Sequence, residues 1–136
     1  MSFVLDSSVS LTWCFDDERT DATDALLERV VEAGAVAPML WPLEVLNALA
    51  MAERRSRIDA ERRQRLAGFL RDLPVTIDED TASQAWAVTS QLAARFRLTV
   101  YDAAYLELAQ RRGLPLATLD QELRAAAAAL GVTLLG

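Results

Sequence analysis

Five short apolar runs, each three residues long, recur along the chain, and the stretches between them carry helical spacing. Phe3-Val4-Leu5, Ala35-Val36-Ala37, Val75-Thr76-Ile77, Leu116-Ala117-Thr118 and Val132-Thr133-Leu134 read as strands. Between the first two, Ala22, Ala25, Leu26, Val30 and Ala33 recur at helical spacing over residues 20–33, and Gly34 ends the run. A helix begins at Pro42, a residue suited to a first helical position, and is expected to turn Leu43, Leu46, Leu49 and Ala50 inward. Asp59 opens another, which Pro74 stops after Leu73. Residues 80–95 form a helix expected to point Ala82, Ala85, Trp86 and Leu92 at the core. Thr99 starts a helix with Ala103, Leu106 and Ala109 apolar and Gly113 at its end, and Asp120 opens an alanine-rich one running to Leu130. Three-residue strands separated by long helices indicate an α/β fold with a mostly parallel sheet. At 136 residues the chain suits one domain over residues 1–136, and it shows no repeat, linker or low-complexity tail.

Composition narrows the chemistry. The sequence has no histidine and no lysine, one cysteine (Cys14), and 14 basic residues that are all arginine. Those absences exclude a Ser-His-Asp triad, an imidazole metal ligand, a P-loop lysine, a Schiff base, an internal disulfide and a multi-cysteine metal site. Catalysis by this chain has to rest on carboxylates, hydroxyls, arginines or a bound metal. The opening Met1-Ser2-Phe3-Val4-Leu5-Asp6 has no basic leader, and acids and arginines interrupt every apolar stretch, so a cytoplasmic protein with no membrane association is expected.

Four acids fall where a parallel sheet concentrates its chemistry, at the strand C-termini and following helix N-termini. Asp6 ends the first strand, Asp120 follows the fourth, Glu44 lies in the first turn of the helix after the second, and Asp102 lies in the first turn of the helix from Thr99. Each alone has an ordinary reading: Asp6 and Asp120 as helix N-caps, Asp102 as partner of Thr99 in a capping pair, Glu44 as complement to a helix dipole. Together they are costly, because clustered carboxylates repel. With no nitrogen or sulfur ligands at hand, a hard cation, Mg²⁺ or Mn²⁺, is the natural counter-charge. A metal held so suits hydrolysis of a phosphodiester, and the Ser7 and Thr118 hydroxyls lie along the same edge.

The motifs Val4-Leu5-Asp6-Ser7-Ser8, Pro42-Leu43-Glu44-Val45-Leu46-Asn47-Ala48-Leu49, Tyr101-Asp102-Ala103-Ala104-Tyr105-Leu106 and Ala117-Thr118-Leu119-Asp120 stand in the order of a PIN domain. The chain resembles the VapC-type toxin ribonucleases over almost its whole length. The resemblance implies a three-layer α/β/α fold with a five-stranded parallel sheet in the order 3-2-1-4-5. By that likeness Asp6, Glu44, Asp102 and Asp120 are the acidic quartet holding a divalent ion, with Asn47 supporting the glutamate and Thr118/Asp120 as the family's Thr-x-Asp. It further implies a homodimer, cleavage of structured transfer or ribosomal RNA with Mg²⁺ or Mn²⁺, and inhibition by a VapB-like antitoxin that occludes the acidic site. One departure stands out: many relatives carry an aspartate two positions after Asp120 and then an aromatic, where this chain has Glu122 and Leu123.

Net charge is −6, an unusual balance for an RNA-binding protein, yet distribution outweighs the sum. Half of the arginines lie within residues 53–71, and Arg54, Arg55, Arg57 and Arg62 are the proposed RNA-backbone contacts; a solvated face balanced by Glu53, Asp59 and Glu61 is the ordinary alternative. Trp13, Trp41 and Trp86 are read as core or dimer-interface residues, and Cys14 as buried. Receiver domains and haloacid-dehalogenase-like phosphatases also group aspartates at strand ends, but both use a lysine that is absent here, and Ser8 stands where the phosphatase has an aspartate. The remaining alternative to an enzyme is a PIN-like scaffold that binds RNA or a partner without cutting.

Overall fold

The computed structural model describes residues 2–136; Met1, the first residue of the opening read above, lies outside them. Five parallel strands form one sheet in the order β3-β2-β1-β4-β5, where β1 is Val4–Leu5, β2 Ala35–Ala37, β3 Val75–Ile77, β4 Leu116–Ala117 and β5 Leu134–Leu135. The register pairs Val4 with Val36 on one side and with Leu116 on the other. Val4, Leu5, Leu116 and Ala117 are wholly buried, which is why these strands are unbroken apolar runs: a parallel sheet is covered on both faces.

The helices are α1 (Ser7–Thr12), α2 (Asp21–Ala33), α3 (Trp41–Arg54), α4 (Ala60–Asp72), α5 (Thr81–Gln84), α6 (Ser90–Phe96), α7 (Val100–Arg112) and α8 (Gln121–Ala129). Right-handed crossovers put α1–α4 on one face and α5–α8 on the other, giving three layers. Packing follows that division, with α3 against α1 and α4, and α7 against α6 and α8. The helix starts agree with their capping residues: the side chains of Thr20, Asp59, Thr99 and Asp120 each accept a backbone N–H from three residues on. Gly34 ends α2 at φ 77°, and a Cβ there would stand 3.1 Å from the Pro74 carbonyl oxygen, so the turn into β2 needs glycine twice over. None of the helices among the described residues is long and apolar enough to cross a membrane.

Three expectations are corrected. The inward face of α3 is Trp41, Val45, Leu49 and Ala52, while Leu43 and Leu46 are 72% and 48% exposed. This helix is apolar nearly all round, so spacing could not choose its buried side. Residues 80–95 are not one regular helix either: Ala85–Thr89 widens into a π turn between α5 and α6. Within the wider turn Thr89 is buried and Trp86 is 92% exposed, and Ala82, in the short helix before it, is exposed as well. Strand β5 starts two residues later than predicted, because the Val132 N–H still bonds back to the Ala127 carbonyl and closes α8. Trp13, Trp41 and Cys14 are buried as expected, and burial pushes the Cys14 thiol up to about 11, leaving it a packing residue.

Candidate active site

Strands β1 and β4 are neighbours from which the chain departs in opposite directions, so their C-terminal ends form the switch point of the sheet. Asp6 leaves β1 there. Its backbone N–H bonds the Ala117 carbonyl, and Val9 and Ser10 donate to its own carbonyl, so α1 starts from it. Its carboxylate caps nothing. Instead, Oδ2 accepts two hydroxyls, from Ser8 at 2.6 Å and from Thr118 at 2.7 Å. Thr118 Oγ1 in turn accepts the Asp120 N–H at 3.1 Å, and Ser8 Oγ accepts the Leu119 N–H at 3.0 Å. Asp6 is thus tied to the Thr-x-Asp turn by a continuous run of hydrogen bonds. Arg124 braces that turn from behind through the Thr118 and Leu135 carbonyls.

The other acids reach the same place from three helix N-termini. Glu44, in the first turn of α3, accepts the Tyr105 hydroxyl of α7 on Oε1 at 2.5 Å, a bond that crosses between the two helical layers. Asp102 donates its backbone N–H to the Thr99 cap at 3.1 Å, and the Thr99 hydroxyl also acts on its carboxyl. Asp120 does cap: its Oδ1 accepts the Leu123 N–H at 2.8 Å. Asn47, one turn after Glu44, is exposed and shows no hydrogen bond to it among the described residues. The family resemblance singled out Asn47, and the hydrogen bond to Glu44 Oε1 comes from Tyr105.

Charge shows that the quartet shares one environment. Burial holds the Asp6 carboxyl above the ordinary range, its two hydroxyl donors pull it back, and Asp120 raises it again. Burial likewise raises Glu44, opposed by the Tyr105 bond and reinforced by the charges of Asp6 and Asp102. Asp102 is raised by burial, then by Asp6 and Asp120, and Glu122 adds to the same field. Glu122 therefore belongs to the acidic neighbourhood. Among the described residues no three such side chains stand close enough to enclose an ion as they are. The acids share a field without being drawn into a finished set of ligands. The leading influences on these three carboxyls include neighbouring acids and no arginine.

The arginines of residues 53–71 lie elsewhere, from the turn joining α3 to α4 along α4, with Arg71 in its last turn. Arg54 is ten residues along α3 from Glu44, about 15 Å by helical rise. Arg57 is engaged: it pairs with Asp17 and Glu18 and stacks over Phe15, 3.9 Å from the ring centre. Arg63 pairs with Glu53 and Arg71 with Asp72, whereas Arg54, Arg55 and Arg62 are exposed and show no ion pair among the described residues.

A parallel α/β sheet with a cluster of carboxylates at its switch point, none of them in an ion pair among the described residues, defines the class of proteins whose acidic edge suits a hard metal ion. The chain belongs to the PIN domain family, whose model matches residues 3–129. No curated protein matches it. Among solved structures it is similar to PAE2754 from Pyrobaculum aerophilum, at 24% identity and TM-score 0.69, covering 98% of this chain and 83% of that one. It is also similar to FitAcB from Neisseria gonorrhoeae, at 16% identity and TM-score 0.69, covering 100% and 97%. A third likeness is VapBC2 from Rickettsia felis bound to a DNA fragment from their promoter, at 11% identity and TM-score 0.67, covering 98% and 97%. At these identities the likeness is one of fold.

Proposed function

We propose that the chain is a divalent-metal-dependent endoribonuclease, acting as one domain in the cytoplasm as the toxin of a toxin–antitoxin pair. The observation that carries this reading is the gathering of Asp6, Glu44, Asp102 and Asp120 at one end of the sheet, where burial and neighbouring acids raise the first three carboxyls and none of the four is in an ion pair among the described residues. An all-oxygen donor set of this kind fits Mg²⁺ or Mn²⁺ and offers nothing to a softer ion. Asp6, Asp102 and Asp120 would hold the ion, with Glu44 completing the site through water or orienting the attacking water. When bound, the ion lowers the pKa of a water and neutralises charge on the phosphoryl group. Ser8 and Thr118 keep the Asp6 carboxylate fixed from one side, so its orientation does not have to be found on binding. Water attack of this type leaves 5′-phosphate and 3′-hydroxyl ends. The direct test is incubation of transfer and ribosomal RNA with Mg²⁺ or Mn²⁺ and mapping of the new ends, with Asp6→Asn as control. Binding of RNA without new ends in any divalent ion would leave a non-catalytic module.

Substrate RNA would be held by the exposed Arg54, Arg55 and Arg62 at the α3–α4 turn, with Arg57 placed there by its own acidic partners. Arg55→Glu with Arg62→Glu is expected to weaken RNA binding and to flatten its salt dependence by roughly 0.7–0.9 per lost phosphate contact. Binding measured across a salt series checks this, and an unchanged slope would remove these arginines from the interface.

A second copy of the chain is the expected partner for the apolar surface beside the site. Met39, Leu43, Val100 and Tyr101 are exposed around a cleft of about 300 Å³ that Ala85 also lines, and Trp86, the residue after it, is the most exposed large apolar side chain among the described residues. Trp86→Asp is expected to raise the dimer dissociation constant by about 30-fold or more, the effect of losing a central aromatic anchor. Sedimentation equilibrium measures it, and an equal constant in both proteins would place the interface elsewhere. An antitoxin of VapB type is the proposed inhibitor, supported by the fold shared with VapBC2.

A further inference from the structure

The structure holds two of the four carboxylates in the same manner, and the manner assigns a role to a residue outside the quartet. Asp6 Oδ2 accepts both hydroxyls that reach this group, and no side-chain donor among the described residues reaches Oδ1. Glu44 Oε1 accepts the Tyr105 hydroxyl at 2.5 Å, the stronger of two side-chain hydrogen bonds on this carboxyl, the weaker coming from Ser7. Each carboxylate therefore has one oxygen held at short range by a hydroxyl of the protein. Asymmetric use of this kind is how outer residues turn a carboxylate toward a ligand: the committed oxygen sets the plane of the group, and the other points where the plane dictates.

Tyr105 suits that task better than a surface hydroxyl would. Its side chain is wholly buried, so its ring cannot swing away and its O–H has no water to turn to. Its hydroxyl donates to Glu44 Oε1, with the Ser7 side chain beside it, and Tyr105 and Glu44 lie 61 positions apart on opposite helical layers. The phenol stands one turn after Asp102 on the same face of α7. One helix thus carries an acid of the quartet and the group that aims another. The bond also ties α3 to α7 over the strand ends, where each helix presents its first turn to the site.

We propose that Tyr105 is a positioning residue: its buried hydroxyl holds Glu44 Oε1 and so presents Oε2 to the divalent ion or to the water that the ion orders. The proposal rests on the metal-dependent reading above and deepens it. Loss of the hydroxyl leaves the Glu44 carboxylate free to rotate about its terminal bond, which costs occupancy of the productive orientation rather than charge.

The test is Tyr105→Phe, which removes one oxygen and keeps the ring, combined with Glu44→Gln in a double-mutant cycle. Mn²⁺ binding to the protein without RNA is measured by calorimetry, with thermal unfolding of the ion-free proteins alongside. Tyr105→Phe is expected to fold and to bind Mn²⁺ about tenfold more weakly, within the range found for lost outer-shell partners. In the Glu44→Gln background the same substitution is expected to change Mn²⁺ affinity by less than twofold, because its route of action is already gone. A purely structural hydroxyl would lower the unfolding temperature without touching Mn²⁺ affinity, and that result overturns the proposal. Equal losses in both backgrounds overturn it too, as does a Tyr105→Phe chain that does not fold. Wild-type protein that binds no Mn²⁺ instead removes the metal-dependent reading beneath it, which is a different failure.

Discussion

Asp6→Asn is expected to abolish divalent-ion-dependent cleavage, by roughly 10³-fold or more, while making the ion-free protein more resistant to heat. The loss corresponds to about 4 kcal/mol of transition-state stabilisation. Asparagine keeps an oxygen for the Ser8 and Thr118 hydroxyls, so the turn that Asp6 organises is retained. What disappears is the charge. The gain in stability follows from the direction of the pKa shifts. Asp6, Glu44 and Asp102 are all held above their ordinary values, first of all by burial. The folded chain therefore keeps protons that the unfolded chain has already released, and stability falls as pH rises from the ordinary carboxylate range through the raised values. At neutral pH, above the ordinary carboxylate range, the wild type bears that cost, and the variant bears less of it. Thermal unfolding without divalent ions should show the variant unfolding at the higher temperature, and added Mn²⁺ should raise the wild type while leaving the variant nearly unmoved. A folded Asp6→Asn protein that still cleaved within tenfold of wild type would sink the proposed chemistry.

Arg111→Ala is expected to be the most destabilising single change outside the apolar core, costing about 3–5 kcal/mol at neutral pH. Arg111 Nη2 donates to Asp78 Oδ2 at 2.6 Å and its Nε to Glu107 Oε2 at 2.7 Å, and both acids are almost wholly buried. Removing the guanidinium leaves Glu107 with no cation and Asp78 with Arg112 alone, at 3.3 Å. Uncompensated buried charge is what makes the loss large, since the intact network roughly balances its own desolvation. Burial alone would raise the Asp78 carboxyl, but the Arg111 bonds and charge outweigh it and hold it below the usual value. Its contribution is accordingly present above the ordinary carboxylate range and lost as pH falls through the lowered value, opposite in sign to the acids of the site. Urea unfolding at pH 7 and near pH 4 checks both parts. The variant should be far weaker at pH 7, and the gap should narrow in acid as the Asp78 carboxyl, without Arg111 to hold it low, takes up a proton. A difference below about 1 kcal/mol at pH 7 would show that the network contributes nothing net.

These two clusters differ in how far they could be read in advance. The quartet was visible because each acid sits at a boundary that local signals mark: the end of an apolar run for Asp6 and Asp120, the first turn after a proline or a capping threonine for Glu44 and Asp102. The network of Asp78, Glu107 and Arg111 was not visible, because only the Glu107–Arg111 spacing is local and an i, i+4 pair on a helix is ordinarily a surface pair. Strands β2 and β3 matched residue for residue, being short apolar runs closed by a proline or an acid. Strand β5 did not, since where α8 lets go of the backbone depends on a hydrogen bond from Val132. Leu43, Leu46 and Trp86 were assigned to the wrong side of their helices. For α3 the cause is a helix with apolar residues all round; for Trp86 it is a π turn, which no residue in Ala85–Thr89 announces.

By itself the sequence determined the layered α/β architecture, the approximate ends of its elements and the four acids that the architecture gathers at one edge. Those features depend on neighbours within a turn or a strand, where spacing, capping and chain-breaking residues act. The tertiary structure alone decided which carboxylate oxygens are committed, which arginines are already paired, and which apolar side chains face out. Each of those outcomes is a contact between residues far apart in the chain, Tyr105 with Glu44 and Thr118 with Asp6 among them. No local signal records such a contact, because its energy exists only once the layers have packed.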